Sequence, residues 1–346
     1  VDLRSSAPTA AGPDSVPHWT APGSYEISPG VFRIPLPLPE GPPAINVYAV
    51  ADGDDVVLID SGWATEDGER HLVQGLERIG FEPSGISRFL ITHWHTDHYS
   101  QALEVRRRHG TPISLGVGER ATVEWHAAGA EAARVSSGAA ATLARAGAHD
   151  MIAMMHGVPD VRVELPDHWL EGNPRIVLRN RTLVAIPTPG HTNGHYSFWD
   201  PGARLFFTGD HVLPRITPWI GLETAPGRLP LGDYLASLLL VQTMPDAQLL
   251  PAHGPTMPSA ATRARQLIDH HHGRLDRTLD AVSSHGVTAI DVAHRLRWTR
   301  RDQRLGDLPA PLRPYAVIET VAHLDVLVDR GAVQVAESDG VALYSR

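Results

Sequence analysis

The chain has 346 residues, 42% of them apolar and 20% charged, the make-up of a globular protein long enough for a large core and two domains of roughly 150 residues each. A net charge of -9 argues against general nucleic-acid binding, which rests on phosphate neutralisation, and since Lys is absent an anionic substrate must meet Arg, metal or backbone. Cysteine is absent too, which excludes disulfides, thiol nucleophiles and thiolate ligands and fits a reducing cytoplasm, and no apolar run approaches the roughly 18 residues of a membrane span.

Residues 1–30 read as an irregular arm, broken by Pro8, Pro13, Pro17 and Pro22 and lacking the charged-then-apolar order of a signal peptide. The first residue is Val, so a processed start stays open. Strands are predicted at Val31–Leu38, Ile45–Val50 and Val56–Asp60, the last two joined by the hairpin signal Asp52-Gly53-Asp54. Thr65–Ile79 has the period of an amphipathic helix, with Leu72, Leu76 and Ile79 on one face. A short strand at Phe89–Ile91 precedes a helix at Gln101–His109.

Residues 117–156, rich in Ala and carrying Met151, Met154 and Met155, read as a helical insertion over the site. Strands return at Arg181–Ile186, His195–Asp200, Arg204–Thr208 and Gln248–Leu250, with helices at Leu231–Thr243 and Pro258–Ser283. From Gly286 the order is helix (Thr288–Leu296), loop, helix (Tyr315–Gly331) and hairpin (Ala332–Tyr344), a winged-helix pattern.

The chemistry concentrates in Thr92-His93-Trp94-His95-Thr96-Asp97-His98. Three imidazoles and a carboxylate there would each need a partner once buried, but they suit zinc and similar divalent ions. On an extended segment His93, His95 and Asp97 face one way, and His98 points elsewhere, where it could serve a second ion. Three further motifs follow strands: Pro189-Gly190-His191, Thr208-Gly209-Asp210 and Pro251-Ala252-His253-Gly254. Each sets a candidate ligand beside a Gly that lets the backbone bend close.

With these motifs the chain resembles the metallo-β-lactamase-fold hydrolases, nearer to the glyoxalase II branch than to the true β-lactamases, over about residues 31–272. The tail from Gly286, through Ile318-Glu319-Thr320-Val321-Ala322-His323-Leu324, is similar to the small winged-helix domain of some β-lactamase-like proteins. The fold implied is α/β, a four-layer αβ/βα sandwich spanning residues 31–285 with the metals at one edge, plus a winged-helix domain at 286–346. The resemblance implies two divalent ions, zinc first, with iron or manganese as alternatives. His93, His95 and His191 would hold one, Asp97, His98 and His253 the other, and Asp210 would bridge them. A hydroxide between the ions would attack, with Asp97 orienting it and shuttling the proton. Asp60 is expected to take the free N–H of a ligand imidazole, the alternative being a plain turn residue.

A bridging Asp210 is typical of family members that cleave thioesters, lactones or phosphodiesters. Without Lys to grip glutathione, the expectation is a small acyl substrate, a thioester, ester or lactone. The alternatives are phosphodiester cleavage of RNA or DNA, a regulator that kept the metal site, and weak β-lactam hydrolysis. Tyr196 and Arg215 are candidate substrate contacts, whereas His195 and His211 read as structural or pocket-lining and not as ligands. Trp94 should point into the core, and His270, His271 and His272 fan around a helix and cannot share one ion. The cluster Arg295, Arg297, Arg300, Arg301 and Arg304 lies in a segment with eight Arg and eight acidic residues, so a solvated loop or a homodimer contact is expected over a nucleic-acid surface.

Overall fold

The computed structural model describes residues 18–128, 137–155, 163–223, 227–299 and 301–346. The expected arm up to Pro17, parts of the 117–156 stretch and Arg300 of the basic cluster lie outside the described residues.

The first sheet runs in chain order through β1 (Tyr25–Ser28), β2 (Val31–Pro37), β3 (Ala44–Asp52), β4 (Asp55–Ile59), β5 (Ile86–Leu90), β6 (Ile113–Gly116) and β7 (His168–Leu170). Its first four strands are antiparallel and the rest run parallel to β4. Tyr25–Ser28, expected to be irregular, pairs with β2 because residues 25, 26 and 28 find partners across a tight turn. Parallel neighbours need a crossover. The helices α1 (Glu66–Arg78) and α2 (Thr96–His109) supply it between β4, β5 and β6. Thr65 caps α1 by accepting from the Gly68 N–H at 3.0 Å, and Gly110 ends α2 in the left-handed conformation at φ 73°.

Two short helices follow β6, α3 (Arg120–Ala127) and α4 (Ser137–Arg145). The second sheet has the order β12-β11-β10-β9-β8, from β8 (Arg175–Val177), β9 (Thr182–Pro187), β10 (Tyr196–Asp200), β11 (Leu205–Gly209) and β12 (Gln248–Pro251). Helix α5 (Pro230–Thr243) lies between β11 and β12, and α6 (Ala260–Ala281) follows β12. The chain closes with α7 (Ala289–Arg295), α8 (Arg313–Asp329) and the ribbon β13 (Gln334–Ser338) with β14 (Val341–Ser345).

Period-2 alternation builds the layers. From β3 and β4, Tyr48, Val50, Val57 and Ile59 meet Leu183, Phe198, Leu205 and Phe207 of the other sheet. Their alternates Val47, Ala49, Val56 and Leu58 pack on Leu72 and Leu76 of α1 and Leu103 of α2. Phe206 and Leu249, on the outer face of the second sheet, pack on Leu231 and Leu238 of α5 and Leu267 of α6. The result is helix, sheet, sheet, helix, the sandwich the sequence motifs imply. The core of α7 and α8 (Val292, Val317, Val321, Leu324) is continuous with α4, α5 and α6.

Candidate metal centre

The strand ends bring the motifs to one edge. Asp60 follows β4, residues 91–98 follow β5, His191 lies between β9 and β10, Asp210 follows β11 and His253 follows β12. Polar ties lash the two sheets there. The Asn46 N–H donates to Ala252 O at 2.7 Å, the Tyr48 hydroxyl to Pro251 O at 2.9 Å, and the Tyr196 N–H to Thr92 O at 2.8 Å. Gly209 sits at φ 49°, where an added Cβ would lie 2.6 Å from Thr92 Oγ1 and 2.8 Å from His195 Nε2. Only glycine lets β11 deliver Asp210 past Thr92.

Seven candidate ligands converge in three overlapping groups: His93, His95 and His191; His93, His98 and Asp210; and Asp97, His98 and His253. The extended alternation read from sequence ends at His95. Residue 96 opens α2, so Asp97 and His98 sit on its first turn, and His98 turns into the cluster. In the first group His95 Nδ1 lies 2.9 Å from His93 Nε2 and 3.1 Å from His191 Nε2. In the other, His253 Nε2 is 3.2 Å from Asp97 Oδ2, and His98 Nε2 is 3.6 Å from the same oxygen. Asp210 faces both. Its Oδ1 is 3.4 Å from His253 Nε2 and 3.7 Å from His98 Nε2, while its Oδ2 is 3.6 Å from His191 Nε2.

Acceptors behind the imidazoles fix which nitrogen points inward. His98 Nδ1–H donates to Asp60 Oδ2 at 2.9 Å, His191 Nδ1–H to Trp219 O at 2.7 Å and His253 Nδ1–H to Ala44 O at 2.9 Å. Asp60 also accepts from the Thr92 N–H at 2.8 Å, and the Thr92 hydroxyl lies 3.1 Å from His93 Nδ1. His195 is buried beside the cluster. Its Nε2 accepts from the Asp210 N–H at 3.2 Å, and its Nδ1 meets Thr188 Oγ1 at 2.8 Å, so it holds the Asp210 backbone.

Burial, then the neighbouring imidazoles, push His93 and His95 well below the ordinary imidazole value, which leaves neutral rings with lone pairs to offer. Burial would lower His98 as well, but the carboxylates of Asp60, Asp97 and Asp210 lift it to about 10. Burial would raise Asp97, but His98 and His253 hold it below the usual carboxylate range. The three carboxylates around His98 favour positive charge at that point of the cluster. The donor set fits a divalent cation on a second ground. Among the described residues, His98 Nε2 and Asp210 Oδ1 are buried without a hydrogen-bond partner and face each other, a costly arrangement unless a cation lies between them.

Tyr196 is not brought to the cluster. It opens β10 on the inter-sheet face shared with Phe198, and its hydroxyl donates to Gly172 O at 3.0 Å. Arg215 is exposed on the loop after β11. Trp94 is buried, as expected, but its Nε1–H donates to Glu223 Oε1 at 3.2 Å and its ring stacks on His126 of α3. Sequence reasoning passed over Glu223, Glu119 and the carbonyls of Trp219 and Ala44. Lone loop carboxylates and main-chain acceptors carry no spacing signal.

A family model described as the metallo-beta-lactamase superfamily matches residues 41–253. A beta-lactamase-like protein 2 homolog of Caenorhabditis elegans is 23% identical over 253 residues, 72% of this chain and 70% of that protein. Hydroxyacylglutathione hydrolase GloC of Haemophilus influenzae is 25% identical over 211 residues, 59% of this chain and 82% of its own length. Among solved structures, a beta-lactamase domain protein from Burkholderia ambifaria superposes with a TM-score of 0.75 at 26% identity, covering 93% of this chain and 94% of that one.

Proposed function

We infer that this chain, which belongs to the metallo-β-lactamase superfamily, is a dinuclear metal-dependent hydrolase of small acyl substrates (a thioester, ester or lactone), with zinc the favoured metal. The observation that carries the reading is Asp210, whose two oxygens face different histidine groups, Oδ2 toward His191 and Oδ1 toward His98 and His253. His93, His95 and His191 would hold one ion, Asp97, His98 and His253 the other, and Asp210 would span both. Bound divalent ions would supply a water acidic enough to attack at neutral pH and a Lewis acid for the substrate carbonyl.

The protein's own groups do the rest. Asp97 turns Oδ2 to His253 and His98, which leaves Oδ1 to carry a proton toward the leaving group. His98 and His253 beside it keep its carboxyl ionised. The backbone of Trp219 holds His191, and its indole, half exposed, stacks on Tyr315 of α8 with ring centres 4.2 Å apart. That aromatic pair puts apolar surface beside a ligand and suits an acyl group. Similarity to a hydroxyacylglutathione hydrolase supports the thioester choice.

The test is metal analysis with turnover of a generic thioester and an aryl ester. Asp210→Ala should lose metal from at least one site and nearly all turnover; unchanged metal content would overturn the bridging role. Wild-type protein with well under one equivalent of transition metal, and no activity restored by zinc, manganese or iron, would remove the hydrolase reading.

A further inference from the structure

His93, His98, His191 and His253 each have Nδ1 facing a fixed acceptor, and each presents Nε2. His95 is the exception. It presents Nδ1, and its outward Nε2 lies 3.8 Å from Glu223 Oε1. Packing holds this ring less closely than its neighbours, because the His95 side chain is 31% exposed, against 0% for His98 and 6% for His191. Something else can choose its inward nitrogen.

Glu223 is 3% exposed and lies four residues after Trp219. Its partners among the described residues are neutral donors: Trp94 Nε1–H at 3.2 Å, the Thr122 hydroxyl at 3.4 Å and the Asn193 backbone N–H. A buried carboxylate with such partners is costly to keep for packing alone. An imidazole N–H whose other nitrogen binds a cation is the partner that would repay it. A small rotation of His95 closes 3.8 Å to hydrogen-bond length.

We propose that Glu223 is the positioning residue for His95: it takes the Nε2–H of that ring and so fixes Nδ1 as the nitrogen turned to His93 and His191. The segment from His211 to Glu223 then holds two of the three imidazoles of the first group from behind, His191 through the Trp219 carbonyl and His95 through Glu223. Glu119 backs the arrangement from the start of α3. It accepts from the Thr192 hydroxyl next to His191, and among the described residues its Oε2 is buried without a hydrogen-bond partner. It therefore ties down the His191 loop without touching a ligand.

This inference rests on the metal-binding reading above, but its readouts need no substrate. Metal-free wild type, Glu223→Ala and Glu223→Gln are titrated with Co(II) in competition with a chelator, and the visible absorption of the bound ion is recorded. Glu223→Ala should weaken one of two Co(II) sites by about 10- to 100-fold and change its absorption band, leaving the other site as in wild type. Glu223→Gln keeps an acceptor oxygen and should recover most of that affinity and the wild-type band. Two wild-type sites with an unchanged spectrum in Glu223→Ala would overturn the proposal. So would equal loss in both variants together with a lowered melting temperature of the metal-free protein, the mark of a tie between loops. Wild type that binds no Co(II) would sink the hydrolase reading itself. Two bound ions without any acyl turnover would leave Glu223 standing and remove only the proposed substrate.

Discussion

Asp60 sits in the left-handed region at φ 59°, a conformation few residues other than Gly adopt and one Asp tolerates. What holds it there is its carboxylate, which accepts from the Thr92 N–H, the Thr92 hydroxyl and His98 Nδ1–H within 2.8 to 2.9 Å. Asp60→Ala leaves buried donors unmet, at about 1–3 kcal/mol for each, and frees His98 to turn. We expect a lower melting temperature and a drop in metal affinity of about 10- to 100-fold. Asp60→Asn keeps an acceptor for Thr92 and should lose affinity with a smaller loss of stability; melting curves and chelator competition read the two effects apart. The seven side chains that cluster here could be picked out in the sequence as candidate ligands because they sit in short motifs that follow strands. Their supporting groups could not, since Glu223 lies 128 positions from His95 in number and meets it only through the fold. Tyr196, a candidate substrate contact, is the first residue of β10 and shares the inward face of Phe198.

At the scale of elements, most strands and helices were legible from period and caps, and the short β6, β7 and β8 were not, being only three or four residues long. The His270-His271-His272 run finds its meaning in the pairing of α6 with α8. His323 Nδ1–H donates to Glu319 O at 2.7 Å, so in the neutral ring Nε2 is bare and accepts from His271 Nδ1–H at 3.2 Å. His271 Nε2 is then left buried without a hydrogen-bond partner among the described residues, in surroundings that include His270, Arg274 and Tyr234. Burial, then the neighbouring cationic groups, hold His271 well below the ordinary 6.5, and burial takes His323 to about 3. Depressed imidazole values mean stability that is fully present above 6.5 and is lost as pH falls toward 3. Each ring can contribute up to about 1.4 kcal/mol per pH unit over that window. Urea midpoints of the metal-free protein should fall between about pH 7 and pH 5, and His271→Leu combined with His323→Leu should flatten that fall. An acid limb of unchanged slope in the double variant would place the loss in other groups.

For the whole molecule the question is whether residues 286–346 stand apart. The sequence pattern there, helix, helix and hairpin, reads as a separate domain, and the structure adds facts a local pattern cannot hold. Val317, Ile318, Val321, Leu324 and Leu327 of α8 are buried in one core with Leu143 of α4, Leu238 of α5 and Leu275 of α6. Arg145 of α4 pairs with Asp325 at 2.6 Å, and the Ile290 N–H donates to Ala146 O at 3.2 Å. Five such side chains at about 1.5–3 kcal/mol each come to on the order of 10 kcal/mol, as much as the net stability of a typical domain. Tyr315 of α8 also backs Trp219, whose carbonyl holds His191, so loss of α8 would loosen the loop behind the first group of ligands. A chain ended at Ser284 is therefore expected to lose its sharp cooperative melt, expose apolar surface to a hydrophobic dye, and bind metal weakly. If the shortened chain instead melted sharply and held its ions as the full chain does, residues 286–346 would be an independent appendage, and the shared core would count for little in the stability of the site.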